Sequence, residues 1–236
     1  MWDMQSMAYS TDQHPATRFT PITTYILITI SIIVFLYQRT LPDPPPTLFC
    51  FEGPSHTLQE FLCRYGVIPD NLLKGQAVYT LITAIFLHGN WLHLAGNMVL
   101  LWVFGDHLEE LLGHVPYLLF FLTGGIMGSI VHVLLNRFST VPSVGASGAI
   151  AGILGAYLII WGFYAIRIPI GSYTLSVPTG MLIVIWAIQQ FVTTYSLAAE
   201  AGNVSEIAYG AHVGGFVMGL LLGIAFRYLH SSRHRP

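Results

Sequence analysis

Charge is what this 236-residue sequence has least of: 9 Lys and Arg against 11 Asp and Glu leave charged side chains at 8% of the chain, about a third of the share usual in a soluble domain. No block of Lys or Arg interrupts it, so the electrostatic footprint that nucleic-acid binding requires is missing and that class is excluded. Cysteine is scarce too. Cys50 and Cys63 show no CxxC or Cys/His spacing of the kind a zinc site uses. Two free thiols are the simpler reading, with a disulfide open to them if their loop faces an oxidising compartment. The first twenty residues are polar and lack an A-x-A cleavage signal, so no removed signal peptide is expected and the first apolar run should persist as a span.

What the sequence has instead is apolar length. Hydrophobic residues make up 54% of it, and crossing ~30 Å of hydrocarbon takes ~20 mostly apolar residues. Runs of that kind fall at about 22–37, 91–104, 117–135, 143–164, 177–198 and 207–229. The expected fold is therefore all-α: a polytopic bundle of six transmembrane helices, 22–229, between a polar tail at 1–21 and another at 230–236. The connection from Gln38 to Gly75 is long enough to hold structure of its own. The apolar stretch from Gln76 to Phe104 exceeds one span and breaks at His88-Gly89-Asn90, so its first part, VYTLITAIFL, reads as an interfacial or re-entrant segment. With the N-terminus inside, Arg18, Arg167, Arg227, Arg233 and Arg235 share the cytoplasmic side against Arg39, Arg64, Lys74 and Arg137 opposite. This slight bias favours cytoplasmic N- and C-termini in a bacterial plasma membrane.

Polar side chains inside such spans are costly and become functional candidates. Ser147 lies about five residues into the fourth span, His212 about five into the sixth, and His93 and Asn97 in the first turns of the second. All three spans enter from one side, which puts these residues at one depth, roughly 8 to 10 Å below the surface at ~1.5 Å per residue. Ala211, Gly215, Gly219 and Gly223 recur every four residues on the sixth span; Ser147, Ala151 and Gly155, flanked by Gly148, Gly152 and Ala156, do so on the fourth. Small residues at this spacing let two backbones approach closely, which would join Ser147 to His212.

A serine hydroxyl needs a base within hydrogen-bond reach, and neutral histidine is the usual one. Acyl transfer also needs fixed donors for the oxyanion. His93 and Asn97, four residues apart on one helix face, can both donate, and the backbone N–H of Ser147 in an opening helical turn is a third donor. No Asp or Glu lies in the fourth or sixth span to orient His212, so the expectation is a Ser/His dyad. His107 and His114 belong to the polar segment DHLEELLGH and read as solvated.

The segments GASG (Gly145 to Gly148), AHVGGFVMG (Ala211 to Gly219) and HGNWLHLAGN (His88 to Asn97) together resemble the three signature segments of the rhomboid intramembrane proteases. The resemblance implies a serine endopeptidase that cleaves single-span membrane proteins within the bilayer, with no metal or organic cofactor. It implies Ser147 as nucleophile, His212 as general base, and His93 with Asn97 as oxyanion donors, supported by Gly145, Gly148, Gly215 and Gly219. His88 matches the outer histidine of the second-helix motif but stands about 140° around an ideal helix from His93. The first loop resembles the family's half-embedded structure, and the fifth helix with the loop AAEAGNVSEIAYG resembles the lateral gate and cap. Ala151 stands where some members carry an aromatic against the base, which leaves open what holds His212.

Three other readings compete. A His-ligated membrane metalloenzyme would use the H-x-x-x-x-H of His88 and His93 but needs further His clusters that the sequence lacks. A transporter or channel would show charges or broken helices near the midplane and an internal repeat. A catalytically silent rhomboid-like protein that binds membrane clients would be expected to lack Ser147 or His212.

Overall fold

The structure, a computed structural model, describes residues 19–42, 50, 57–162, 165–170, 173–199 and 208–232. Most of the polar tails (1–18 and 233–236), the start of the sixth span at 207 and residues 200–207 of the loop before it lie outside the described residues.

In chain order the elements are α1 (Ile22–Gln38), α2 (Leu58–Tyr65), α3 (Pro69–Leu73), α4 (Thr80–Thr83) continued by a 3-10 turn (Ala84–Phe86), α5 (Trp91–Leu112), α6 (His114–Leu135), α7 (Ser147–Trp161), the strands β1 (Ala165–Ile170) and β2 (Tyr173–Pro178), α8 (Thr179–Ala199) and α9 (Tyr209–Ser232). The strands form an antiparallel hairpin between α7 and α8 in which Ala165 faces Pro178 and Ile170 faces Tyr173. The helices-only reading did not include it.

Among the described residues two helices, His114–Leu135 and Tyr209–Leu229, are long and apolar enough to cross a membrane, and Ile22–Gln38 and Ser147–Trp161 are shorter apolar helices. The distribution of side chains suits an apolar solvent. Ile26, Ile33 and Leu36 on α1, Ile185, Ile188 and Val192 on α8, and Leu221 and Ile224 on α9 all face outward, while Thr24, Gln38, His88, Asn97, Glu109, Gln190 and His212 are buried. In water such continuous apolar surface would drive aggregation; against lipid it costs nothing.

Local chemistry sets the breaks. Asn90 ends the segment before it and caps α5, its side-chain oxygen accepting from His93 N–H at 2.8 Å. Gly113, at φ 82°, turns α5 directly into α6. At the start of α1, Pro21 offers no side-chain cap. The buried carboxylate of Glu109 on α5 takes that role, accepting from Thr23 N–H (2.7 Å), Thr24 N–H (2.8 Å) and the Thr24 hydroxyl (2.7 Å). These are the orphan amides of a helix start, where negative charge is favoured. Nδ1 of His114 meets the same carboxylate at 2.6 Å, and His107 lies against Asp106 (2.7 Å) and the rings of Tyr157 and Trp161. The reading of His107 and His114 as solvated thus holds for His114, which is exposed, and is corrected for His107, which is half-buried against these rings; Glu109 of the same segment stitches α1 to α5.

α7 is the central helix. Its residues from Gly148 to Tyr157 are all buried, which is possible because Gly and Ala leave room for neighbours on every side. Side chains at Gly215 and Gly219 of α9 would land on the carbonyl oxygens of Gly148 and Gly152. At 15 residues α7 rises only ~22 Å, less than the ~30 Å hydrocarbon core.

Cys50 and Cys63 form a disulfide, with Cα atoms 5.8 Å apart, against the simpler expectation of free thiols. Their spacing in sequence carried no information about how the loop folds back, and the Cα separation lies within the bridging range.

Candidate active site

Ser147 is the first residue of α7, so its own amide belongs to a helical turn without intrahelical acceptors. The loop that delivers it is pinned from two directions. Ser143 exchanges two backbone hydrogen bonds with Val67 of the first loop (2.8 and 2.9 Å), and Gly145 N–H donates to the Ala84 carbonyl at 2.8 Å. The long first connection and the 3-10 turn Ala84–Phe86 therefore serve as scaffold for the serine.

His212 sits in the first turn of α9. The close contact of α9 with α7 brings its Nε2 to 2.7 Å from Ser147 Oγ. On its other side Nδ1 lies 2.7 Å from Oε1 of Gln190, a buried residue of α8. Trp186, one turn earlier on α8, places its ring 5.9 Å from the imidazole at 38°, and Tyr209 approaches edge-on at 6.1 Å. Ala151 is fully buried and offers His212 no polar group. What holds the imidazole comes from α8.

The oxyanion candidates converge beside Ser147. Gly145 has φ 126°, and a Cβ there would stand 2.8 Å from Cε1 and Nε2 of His93 and 3.7 Å from Nδ2 of Asn97. Glycine is required twice over, for the backbone conformation and for the space. Asn97 Nδ2 is buried without a hydrogen-bond partner. An unpaired buried amide costs ~1–3 kcal/mol, a cost that a developing oxyanion would offset.

His88 is fully buried and stacks edge-on against His93 with centroids 5.2 Å apart. Both its ring nitrogens lack partners, whereas its backbone is held at both ends: Gln38 Nε2 donates to the His88 carbonyl (3.0 Å) and His88 N–H donates to Gln38 Oε1 (3.2 Å). It backs His93 and stands outside the Ser147–His212 contact. Gly148, Gly215 and Gly219 lie at the α7–α9 contact, as described above. Among the described residues no three His, Cys, Asp or Glu side chains converge as a metal site needs.

The sequence reading missed Gln38, Trp186 and Gln190. Gln190 carried a usable signal, a polar side chain in the apolar run WAIQQFV, which the rule for intramembrane polar residues flags.

The arrangement has a serine at a helix start, a histidine on a glycine-packed neighbour and an unpaired amide on a third helix. The family model of the Rhomboid domain matches residues 75–229. The chain belongs to the rhomboid family. It is 31% identical over 204 residues to "Rhomboid protease GluP" of Bacillus subtilis (strain 168), covering 86% of this chain and 35% of that protein. It is 35% identical over 203 residues to "RHOMBOID-like protein 1" of Arabidopsis thaliana (75% and 47%). To "Putative rhomboid protease YdcA" of Bacillus subtilis (strain 168) it is 32% identical over 144 residues (61% and 64%). The chain thus spans between about a third and two thirds of the length of these rhomboid relatives.

Proposed function

We propose that this chain is an intramembrane serine endopeptidase that cleaves transmembrane segments of single-span membrane proteins by a Ser147/His212 dyad. The observation that carries the reading is the 2.7 Å contact of His212 Nε2 with Ser147 Oγ, deep in an apolar bundle beside a buried, unpartnered Asn97 amide. Membership of a family with relatives named as proteases supports it.

His212 takes the proton of Ser147 as Oγ bonds to the scissile carbonyl carbon, and the resulting oxyanion is held by the Ser147 N–H, His93 and Asn97. The intermediate collapses, the C–N bond breaks, and the imidazolium gives its proton to the leaving amine. Water, deprotonated by His212, then hydrolyses the acyl ester and frees Ser147. No metal or organic cofactor takes part. A helical peptide bond is hydrogen-bonded and shielded, so the substrate segment must unwind locally, which favours sequences with small or helix-weakening residues.

In this reading α1, α5, α6, α7, α8 and α9 form the membrane bundle, the short α7 lying within it, and the first loop and the Ser147 end of α7 face the oxidising side. The Cys50–Cys63 bridge supports that orientation, which leaves both termini cytoplasmic in a plasma membrane of bacterial type. The reading is tested by reaction with a serine-directed fluorophosphonate followed by peptide mapping. A single adduct on Ser147, abolished in His212→Ala, is expected; equal labelling of His212→Ala would refute the dyad.

A further inference from the structure

Resting on that reading, we infer that Gln190 is a positioning residue for the reaction: its side-chain oxygen fixes the tautomer and the orientation of His212, so that the catalytic unit has a neutral third member supplied by α8.

Hydrogen-bond chemistry leads there directly. A neutral imidazole has one N–H and one lone pair, and which nitrogen carries the proton is set by the partner of the other. The Gln190 Oε1 that faces Nδ1 at 2.7 Å can only accept, so Nδ1 carries the hydrogen and Nε2 presents its lone pair to the Ser147 hydroxyl 2.7 Å away. That is the tautomer a base requires. The opposite tautomer would point a hydrogen at Ser147 and could not take its proton. The amine end of the amide has a partner of its own: Gln190 Nε2 donates to Gln189 Oε1 at 3.0 Å. With the amine end occupied, the oxygen end is left for the histidine.

The surroundings leave little else for this role. Ala151, on the helix beneath, has neither ring nor polar atom, and the flanking rings of Trp186 and Tyr209 confine the imidazole without bonding to Nδ1. Gln190 is buried, where a directed hydrogen bond is stronger than in water and an unmet one is costly. Being uncharged, the amide orients the base without adding a buried carboxylate to an apolar bundle, which would be expensive to desolvate. A residue serving only as a tie between α8 and α9 would have no need to face the one nitrogen that decides the tautomer.

The test uses the full chain in proteoliposomes with a single-span reporter, comparing wild type with Gln190→Met, Gln190→Asn, Gln190→Glu and Ser147→Ala, alongside the rate of fluorophosphonate labelling. Met has no acceptor, and Asn keeps the amide but falls one methylene short, so both should lower kcat and the labelling rate by roughly 10- to 100-fold with KM little changed, the scale on which a metal-bound histidine responds to loss of its orienting partner. Glu, which presents an acceptor oxygen at the same reach whether ionised or not, should restore most of both. Asn guards against a folding failure of Met. Wild-type kcat in Asn, or equal loss in Asn and Glu, overturns the positioning role while an inactive Ser147→Ala leaves the serine mechanism standing. Full cleavage by Ser147→Ala would instead refute the serine mechanism itself.

Discussion

The carbonyl oxygen of Gly148 occupies the space that a side chain on Gly215 would need. These glycines lie one residue after Ser147 and three after His212, so the approach of the two backbones fixes the distance between the two side chains. Gly215→Ala should therefore push α9 off α7, costing on the order of 1–3 kcal/mol and most of the activity together. The contrast is Gly96 on the exposed face of α5, where a Cβ meets nothing within 4 Å. Gly96→Ala should leave cleavage intact and raise helix stability by roughly 0.5–1 kcal/mol. Thermal unfolding in detergent, read beside reporter cleavage, checks both; equal behaviour of the two variants would count against the close-packing account.

Asn97 is expected to act in the transition state alone. Replacing it with Ala should lower kcat by ~10²-fold or somewhat more, as for one oxyanion donor among several, and change KM little, because its amide has no ground-state partner. Steady-state kinetics at varied reporter density decide this. A wild-type kcat would remove Asn97 from the site.

Glu109 should behave in the opposite way. It lies 16 residues from His93 along α5, some 24 Å at ~1.5 Å per residue, and its carboxylate serves the start of α1. Glu109→Leu should destabilise the protein by a few kcal/mol, since it strips several buried donors of their acceptor, while the rate per folded molecule stays near wild type. Melting temperature and active-site titration separate the two quantities.

Cys50 and Cys63 should resist alkylation until reduced. Intact mass after iodoacetamide treatment is predicted to show no adduct in the untreated protein and two after reduction. Two adducts without reductant would contradict the bridge and, with it, the support for an oxidising side at the first loop.

How far the site could be read in advance follows from where its information resides. Ser147, His212, His93 and Asn97 stood out because polar side chains are conspicuous in apolar runs and the four share one depth, and the glycine stripes named the helices that meet. Gln190 and Gln38 contact the site across helices with no periodic link to it; only the packing of α8 on α9 and of α1 on the 3-10 turn reveals their partners. Glu109 was not singled out because its segment is locally polar, and its burial depends on the unpaired amides at the start of α1, 85 residues away. The hairpin between α7 and α8 fell almost wholly in the connection between the runs 143–164 and 177–198, for which no element was expected.

The central claim is that this chain cuts peptide bonds inside the membrane with Ser147. It is tested most directly by purified protein in liposomes with a single-span reporter, a metal chelator present throughout, and the products identified by mass. Cleavage within or at the edge of the reporter's transmembrane segment, insensitive to chelator and lost in both Ser147→Ala and His212→Ala, is the predicted result; cleavage that persists in Ser147→Ala, or stops on chelation, would contradict it.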